Sequence, residues 1–96
     1  MIGRETVVAR GGELVFRDVD GETVMLSVRT GKYYGLDPVG SRVWALIEEP
    51  RRVSDLCTLL LDEFEVDRET CERDVLAFLE KLAKDDLVKA VDEPAR

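Results

Sequence analysis

The segment from residue 30 to residue 44 constrains the fold most, because it passes from a turn through a strand into a helix with no spacer. The dipeptide Thr30-Gly31 has the composition of a tight turn, and residues 32–36 form a strand-length run that includes two tyrosines. Asp37 is a typical helix N-cap residue, and Pro38 suits the first helical position, where its missing N–H is not needed. The segment therefore predicts a strand that ends at the start of a helix.

Two more strand patterns precede this segment and are joined to it by tight turns. Residues 13–18 and 22–28 alternate between apolar and polar side chains, as half-buried strands do. Asp20-Gly21 between them is a strong signal for a two-residue hairpin, and Thr30-Gly31 returns the chain along residues 32–36. These turns predict an antiparallel meander of three strands in chain order, with residues 32–36 at the edge of the sheet.

The alternation also predicts which side chains share a face of this sheet. In the second strand, Leu26 and Val28 are expected on the same face. We expect Tyr34 and Leu36 of the third strand to lie on that face too, with Tyr33 on the opposite one. The two tyrosines are therefore predicted to point to opposite sides of the sheet.

The third strand carries little of the protection that natural sheet edges have. Edges are usually blunted by proline, lysine or a bulge, and only Lys32 serves here. Gly35 has no side chain, so a second backbone could approach it closely. We expect the backbone amides between positions 32 and 36 to be unpaired and open to another chain. Tyr33 and Tyr34 fit two roles, packing of the sheet or lining of a peptide groove.

Three helices are predicted after the meander, at about residues 38–49, 53–64 and 68–84. Pro50 ends the first helix, the second has an apolar stripe at helical spacing, and Asp67 caps the third. The short apolar run 87–91 is expected to pack back as an extended segment, and residues 92–96 are expected to fray.

These elements predict one α+β domain over residues 1–96, with its core at about 13–91. Its architecture is a three-stranded antiparallel meander followed by three helices, which is winged helix-turn-helix-like. The third helix has more apolar surface than one stripe requires, so it is either simply a core helix or also the wall of a groove. The candidate groove residues on it are Val75, Phe78 and Leu82 for the wall, with Arg73 and Lys81 at the rim.

The composition excludes several classes of function. The chain has no histidine, and Cys57 and Cys71 are fourteen positions apart without a CxxC motif, so we expect no metal site. It also lacks a nucleophile elbow and a glycine-rich phosphate loop, so neither catalysis nor a cofactor is expected. No apolar run reaches the roughly 20 residues of a membrane span, and no signal-peptide core is seen near the start. The expectation is a non-catalytic cytoplasmic domain.

Charge argues against the nucleic-acid binding that a winged helix suggests. The net charge is −7, and all of the excess lies in residues 53–96. The first three turns of the third helix, the candidate recognition helix, sum to −1, whereas readers of the major groove use basic and amide side chains there. Peptide binding at the open edge is therefore favoured. A winged-helix nucleic-acid-binding regulator and a self-associating structural module remain as alternatives.

Several short strings carry a resemblance to a known family. The first is GKYYGLDPVG at residues 31–40, which continues to Val43-Trp44. The string FEVD at 64–67 follows the second helix, and DVLAFLEKL at 74–82 lies in the third, with Asp86-Leu87-Val88 after it. In this order, the strings are similar to the PqqD-like family of peptide-recognition elements.

The resemblance implies a fold of three strands and three helices that binds the leader region of a ribosomally made precursor peptide. It implies that the leader is held as an added strand against the third strand and beside the third helix. The first string is most similar to free-standing members from lasso-peptide pathways, which deliver the precursor to a separate leader peptidase with a cysteine-protease-like site. Asp37 stands where the family commonly has asparagine, a conservative change for a helix cap.

The protein is thus expected to be a monomeric adaptor for a leader peptide, without nucleic acid or membrane as partners. Strand addition at residues 32–36 supplies sequence-tolerant affinity, and pockets beside the third helix supply selectivity. The predicted peptide-binding residues are Lys32, Tyr33, Tyr34, Gly35, Leu36, Arg73, Val75, Phe78, Lys81 and Leu82.

Overall fold

The computed structural model describes residues 2–91, which form six strands and three helices. The strands are β1 (Val7–Arg10), β2 (Leu14–Val19), β3 (Glu22–Ser27), β4 (Tyr33–Gly35), β5 (Arg51–Arg52) and β6 (Val88–Val91). The helices are α1 (Pro38–Leu46), α2 (Val53–Glu63) and α3 (Arg68–Lys84). The fraying expected for residues 92–96 lies outside the described residues.

Strands β2, β3 and β4 form the expected antiparallel meander, with β4 at one edge of the sheet. Asp20 and Gly21 make the first turn with φ angles of 54° and 83°, as a two-residue hairpin with two left-handed residues requires. Gly31 has a φ of 75° in the second turn, and its N–H donates to the carbonyl of Ser27 (2.8 Å). The strand order and the turns inferred from the sequence are confirmed.

A second sheet, which the sequence reading missed, has the order β5-β1-β6 with antiparallel pairing. Strand β1 lies in its centre and pairs with β6, which is the extended segment expected at residues 87–91. The three strands are short and far apart in the chain, so their sequences do not show that they pair with one another. Their partners, rather than their local sequences, decide their conformation.

The expected pairing of faces in the meander is wrong. In the register of β3 with β4, Met25 lies opposite Tyr34, and Leu26 lies opposite Tyr33. Directly opposite residues share a face, so Tyr34 lies on the buried side with Met25. Leu26 lies with Tyr33 on the exposed side.

The reason is that β3 buries its polar side chains instead of its valines. The Thr23 N–H donates to Ser41 Oγ (2.8 Å), and Ser27 Oγ accepts from the Thr30 N–H (3.2 Å). These bonds give partners to the Thr23 N–H and to the Ser27 hydroxyl oxygen, so these polar groups on the buried side of β3 are paired. Val24 and Val28 stay exposed on the other face. The apolar alternation of β3 therefore marks the surface of the sheet, not its core side.

The helices follow their sequence signals closely. Asp37 caps α1, because its Oδ1 accepts from the Gly40 N–H (2.7 Å), and Asp67 caps α3 in the same way through the N–H of Thr70 (3.1 Å). Helix α1 ends at Leu46, earlier than the expected residue 49, and Arg51 Nε donates to the Leu46 carbonyl (2.6 Å). Within residues 2–91, no helix has the length and apolarity to cross a bilayer.

The core lies between the three helices and the inner faces of both sheets. Its largest fully buried side chains are Trp44, Met25, Ile47, Leu56, Leu60, Leu79, Leu82 and Leu87. Gly40 lets α1 approach α3, since a Cβ there would be 3.1 Å from the ring of Phe78. Burial of these side chains fixes the position of α3 relative to β4.

Candidate functional site

The outer edge of β4 presents two residues with unpaired backbone groups. The carbonyl of Lys32 accepts from the Ser27 N–H, and the Leu36 N–H donates to the carbonyl of Thr23, both at 2.9 Å. Antiparallel pairing uses every second residue, so the N–H and C=O groups of Tyr33 and Gly35 point away from β3. The expectation that all the amides between positions 32 and 36 are unpaired is therefore wrong for Tyr34 and Leu36, which pair with β3, and for Lys32, whose N–H donates to Thr30 Oγ1 (3.3 Å).

A cleft of about 440 Å³ lies beside this edge, where β4 faces the end of α3. We call it the lysine cleft, and it is lined by Lys32, Tyr33, Tyr34, Lys81, Lys84 and Asp85. Lys32 Nζ lies 3.7 Å from Asp85 Oδ1, so one of the three lysines is paired across the cleft. The lining has a net charge of +2 in a chain whose overall charge is −7.

A second cleft of about 540 Å³ lies farther along α3, between that helix, α1 and the end of α2. We call it the apolar cleft. Its lining includes Val39, Val43, Leu60, Phe64, Val66, Val75, Ala77 and Phe78. The carboxylates of Asp37, Glu65 and Asp74 also line it, and all three residues are exposed. The floor of the apolar cleft is therefore apolar, and its opening is acidic.

The two clefts are the ends of one path along α3. Asp74 and Phe78 line the apolar cleft, and Lys81 and Asp85 line the lysine cleft. These residues are three or four positions apart, so they lie on one face of the helix. On the other side of the path the chain runs from Lys32 at the lysine cleft to Asp37 at the apolar cleft. A strand added to β4 would run along this path from one cleft to the other.

Seven of the ten residues proposed from the sequence lie on this path. Lys32, Tyr33, Tyr34 and Lys81 line the lysine cleft, Val75 and Phe78 line the apolar cleft, and Gly35 lies on the edge. A Cβ on Gly35 would meet no atom within 4 Å, so the space beside it is open.

The other three residues lie elsewhere. Leu36 and Leu82 are buried in the core, and neither of them lines a cleft. Arg73 is exposed, and its Nε is 3.7 Å from Asp74 Oδ1, but it lines neither cleft. Sequence reasoning missed Lys84, which follows Lys81 by one helical turn, and that spacing was the signal for it.

The outer face of the meander is a further surface that the sequence reading missed. Val15, Leu26 and Tyr33 lie directly opposite one another in a row across β2, β3 and β4. Val15 is 57% exposed and Tyr33 is 74% exposed. With Val24 and Val28, this row forms what we call the outer apolar face, which adjoins the open edge. Exposed apolar surface of this kind is typical of interaction sites.

The two cysteines have the properties of core residues. Burial raises the pKa of the Cys57 thiol to about 12, and its hydrogen-bonded neighbour Cys71 adds to the effect. Burial also raises the pKa of Cys71. Both thiols are therefore protonated and shielded, which is the opposite of an activated nucleophile. Within residues 2–91, no group of three or more metal-ligating side chains could hold a metal ion.

The fold and the open edge define a class of protein: a small, winged helix-turn-helix-like α+β domain in which an edge strand lies beside a long helix. The sequence comparison gives the family. The chain belongs to the family described as coenzyme PQQ synthesis protein D (PqqD), which matches residues 22–88. No curated protein matches the chain.

Two solved structures are similar to this one. TbiB1 in complex with the TbiA(beta) leader peptide is 39% identical, with a TM-score of 0.78 over 88% of this chain and 99% of that one. Lasso peptide synthetase B1 complexed with the leader peptide is 23% identical, with a TM-score of 0.75 over 85% of this chain and 96% of that one. The second likeness shows the fold alone.

Proposed function

We propose that this protein is a non-catalytic adaptor that binds the leader region of a ribosomally made precursor peptide, as an added strand on β4. The observation that carries the proposal is the pair of outward-facing residues, Tyr33 and Gly35, beside two clefts along α3. The similarity of this protein to TbiB1, which is described in complex with a leader peptide, supports this function and a role in lasso-peptide biosynthesis.

Backbone pairing would supply the part of the affinity that does not depend on leader sequence. Tyr33 and Gly35 together offer two N–H donors and two C=O acceptors to a peptide strand. Each hydrogen bond contributes a net 0.5–1.5 kcal/mol, roughly, so four of them give a weak complex once the ordering of the peptide is subtracted. The apolar cleft has to add the rest, by burying a large side chain of the leader against Phe78 and Val75.

The leader has to reach an enzyme that removes it, and we propose a separate leader peptidase with a cysteine-protease-like site as that partner. The described residues of this chain contain no activated nucleophile, and the raised pKa values of Cys57 and Cys71 suit the core. The outer apolar face would contact the peptidase, because it remains exposed after a strand has been added to β4. The expected cytoplasmic location belongs to the same proposal.

A direct titration tests the central claim. The probe is the TbiA(beta) leader peptide, labelled with fluorescein, and the readout is fluorescence anisotropy against increasing concentrations of this protein. We expect saturable binding, with competition by the unlabelled peptide and none by a scrambled peptide of the same composition. Absence of saturable binding to this leader and to the leader of the protein's own pathway would contradict the proposal. Sedimentation without peptide tests the alternative, since a peptide-independent dimer would indicate self-association at the edge.

A further inference from the structure

The charges along the α3 path are separated by sign. The lysine cleft contains Lys32, Lys81 and Lys84 against Asp85 alone. The apolar cleft contains three carboxylates and no cation in its lining. Outside the lining, Arg73 Nε lies 3.7 Å from Asp74 Oδ1. Because both members of that pair are exposed, the contact is weak and leaves the carboxylate accessible.

The separation of the two charged ends can be measured along each wall of the path. Asp74 and Lys84 are ten positions apart on α3, which corresponds to about 15 Å at a rise of about 1.5 Å per residue. On the other wall, Lys32 and Asp37 are five positions apart, or about 17 Å in extended conformation at about 3.4 Å per residue. The two walls agree, so the charged ends are separated by the length of about five extended residues.

Pairing geometry supplies the direction in which a peptide would meet these charges. Every strand pair among residues 2–91 is antiparallel, and antiparallel ladders are the more stable kind. A peptide antiparallel to β4 enters at Asp37 and leaves at Lys32. Its N-terminal part therefore lies at the carboxylates of the apolar cleft, and its C-terminal part lies at the lysines.

We propose that this cleft selects leaders by the order of their charges: a basic residue first, and an acidic residue about five positions later. The inference rests on the proposed strand addition and specifies which peptides it accepts. Backbone pairing alone fixes neither the register nor the sequence of the added strand. Opposite charges at the two ends favour one register and penalise a peptide whose charges are reversed.

The first experiment selects peptides without assuming a ligand. A display library of random peptides, each about 12 residues long so that it spans both clefts, is selected on the immobilised wild-type protein. We expect enrichment of sequences with Lys or Arg followed by Asp or Glu at a spacing of about five. Enriched peptides with the opposite charge order, or with an apolar pattern and no preferred charges, would overturn the inference while leaving strand addition intact. A lack of any enrichment would count against both.

The second experiment locates the effect on the protein. In the double variant Lys81→Glu with Lys84→Glu, we expect the best selected peptide to bind about 10-fold more weakly at low salt, and the deficit to shrink as salt screens the charges. The control variant, Arg17→Glu with Lys89→Glu, makes the same change in net charge at exposed positions outside both clefts. Equal losses in the two variants would mean that only net charge matters, and the inference would fail. Far-UV circular dichroism checks the fold of each variant.

Discussion

At the scale of single residues, Phe78 shows how packing shapes the apolar cleft. It is half-buried, its ring lies against Gly40 of α1, and it lines the apolar cleft. Leu82, which the sequence suggested for the same wall, faces the core one turn later. Helical spacing places both residues on the apolar face of α3, and only the packing of the other elements decides which side chain stays accessible to a ligand.

We expect Phe78→Ala to weaken leader binding by at least about 10-fold, as the loss of a central aromatic contact does. It should also lower the free energy of unfolding by about 1–3 kcal/mol, because the ring is partly buried. The matched control is Phe16→Ala, which removes a ring that packs edge-on against Trp44 with centroids 5.7 Å apart and that lines neither cleft. Anisotropy titrations and urea melts of both variants separate the effects. Normal binding by Phe78→Ala would place the groove elsewhere.

The buried thiols make stability depend on pH in the alkaline range. Burial raises the pKa of Cys57 to about 12, whereas an unfolded thiol has a pKa of about 8.5. Between these values the unfolded state has lost the proton that the folded state still holds, so raising the pH favours unfolding.

Stability should therefore be unaffected by this thiol below a pH of about 8.5 and should fall as the pH rises from there toward 12. Urea melts across this range, with Cys57→Ala for comparison, measure the slope that the thiol contributes. A second readout is alkylation by iodoacetamide at pH 8, where we expect labelling only in denaturant. Rapid labelling of the native protein would contradict the assignment of both cysteines to the core.

At the scale of elements, the meander shows which signals in the sequence are sufficient. The strand order follows from Asp20-Gly21 and Gly31, because residues with left-handed backbone at those positions form tight turns that place consecutive strands side by side. The caps at Asp37 and Asp67 likewise set the helix starts. These are local effects, and a local sequence contains all the information they need.

The elements that the sequence did not reveal depend on distant partners. Strand β1 pairs with β6, about eighty positions later in the chain, and with the two-residue β5. The faces of β3 cannot be predicted from its own pattern, because its buried side carries Thr23 and Ser27 and lies against α1, where Ser41 Oγ accepts from the Thr23 N–H. No pattern within β3 contains that contact, so the exposed row of valines resembled a core face.

The edge of β4 gives a prediction that separates backbone pairing from side-chain contacts. Gly35→Pro removes one outward N–H and leaves the bonds to β3 in place, and edge strands accept proline at such positions. We expect the variant to fold and to bind the leader about 10-fold more weakly, from the lost hydrogen bond and the ring in the path of the peptide.

The control for this prediction is Gly35→Ala, which keeps the N–H and adds a Cβ that meets no atom within 4 Å. We expect a change in affinity of less than about threefold for the alanine variant, since it retains the donor. Thermal melts establish that both variants fold, and anisotropy titrations compare their affinities. Equal affinities for the proline and alanine variants would argue against strand addition at this residue.

At the scale of the whole molecule, the domain separates its surfaces by chemistry. Negative charge is concentrated on residues 53–96, which discourages contact with nucleic-acid phosphates. The lysine cleft is a local exception, and it lies where an added strand would end. The outer apolar face lies on the same sheet and turns toward solvent. An adaptor requires two contact surfaces that can be occupied together, and an edge and a face of one sheet meet that requirement.

The outer apolar face can be disabled without touching the leader site. Val15→Lys places a charge at the β2 end of the face, on the strand farthest from β4, and removes no buried side chain. We expect leader affinity to stay within about twofold of wild type, because no group on the edge changes. Leader cleavage by the peptidase of the same pathway should fall by at least about 10-fold, since burying an unpaired charge in an apolar interface is costly.

The matched control for this variant is Ala45→Lys, which adds the same charge at an exposed position of α1 outside both clefts and the outer apolar face. The measurement is the rate of leader cleavage against the concentration of each variant, at a fixed amount of peptidase and precursor. If the outer apolar face contacts the peptidase, a higher concentration of Val15→Lys will be needed to reach the half-maximal rate, whereas Ala45→Lys will give the same curve as the wild type. Two identical curves, with leader binding intact, would mean that the enzyme approaches from another side of the domain.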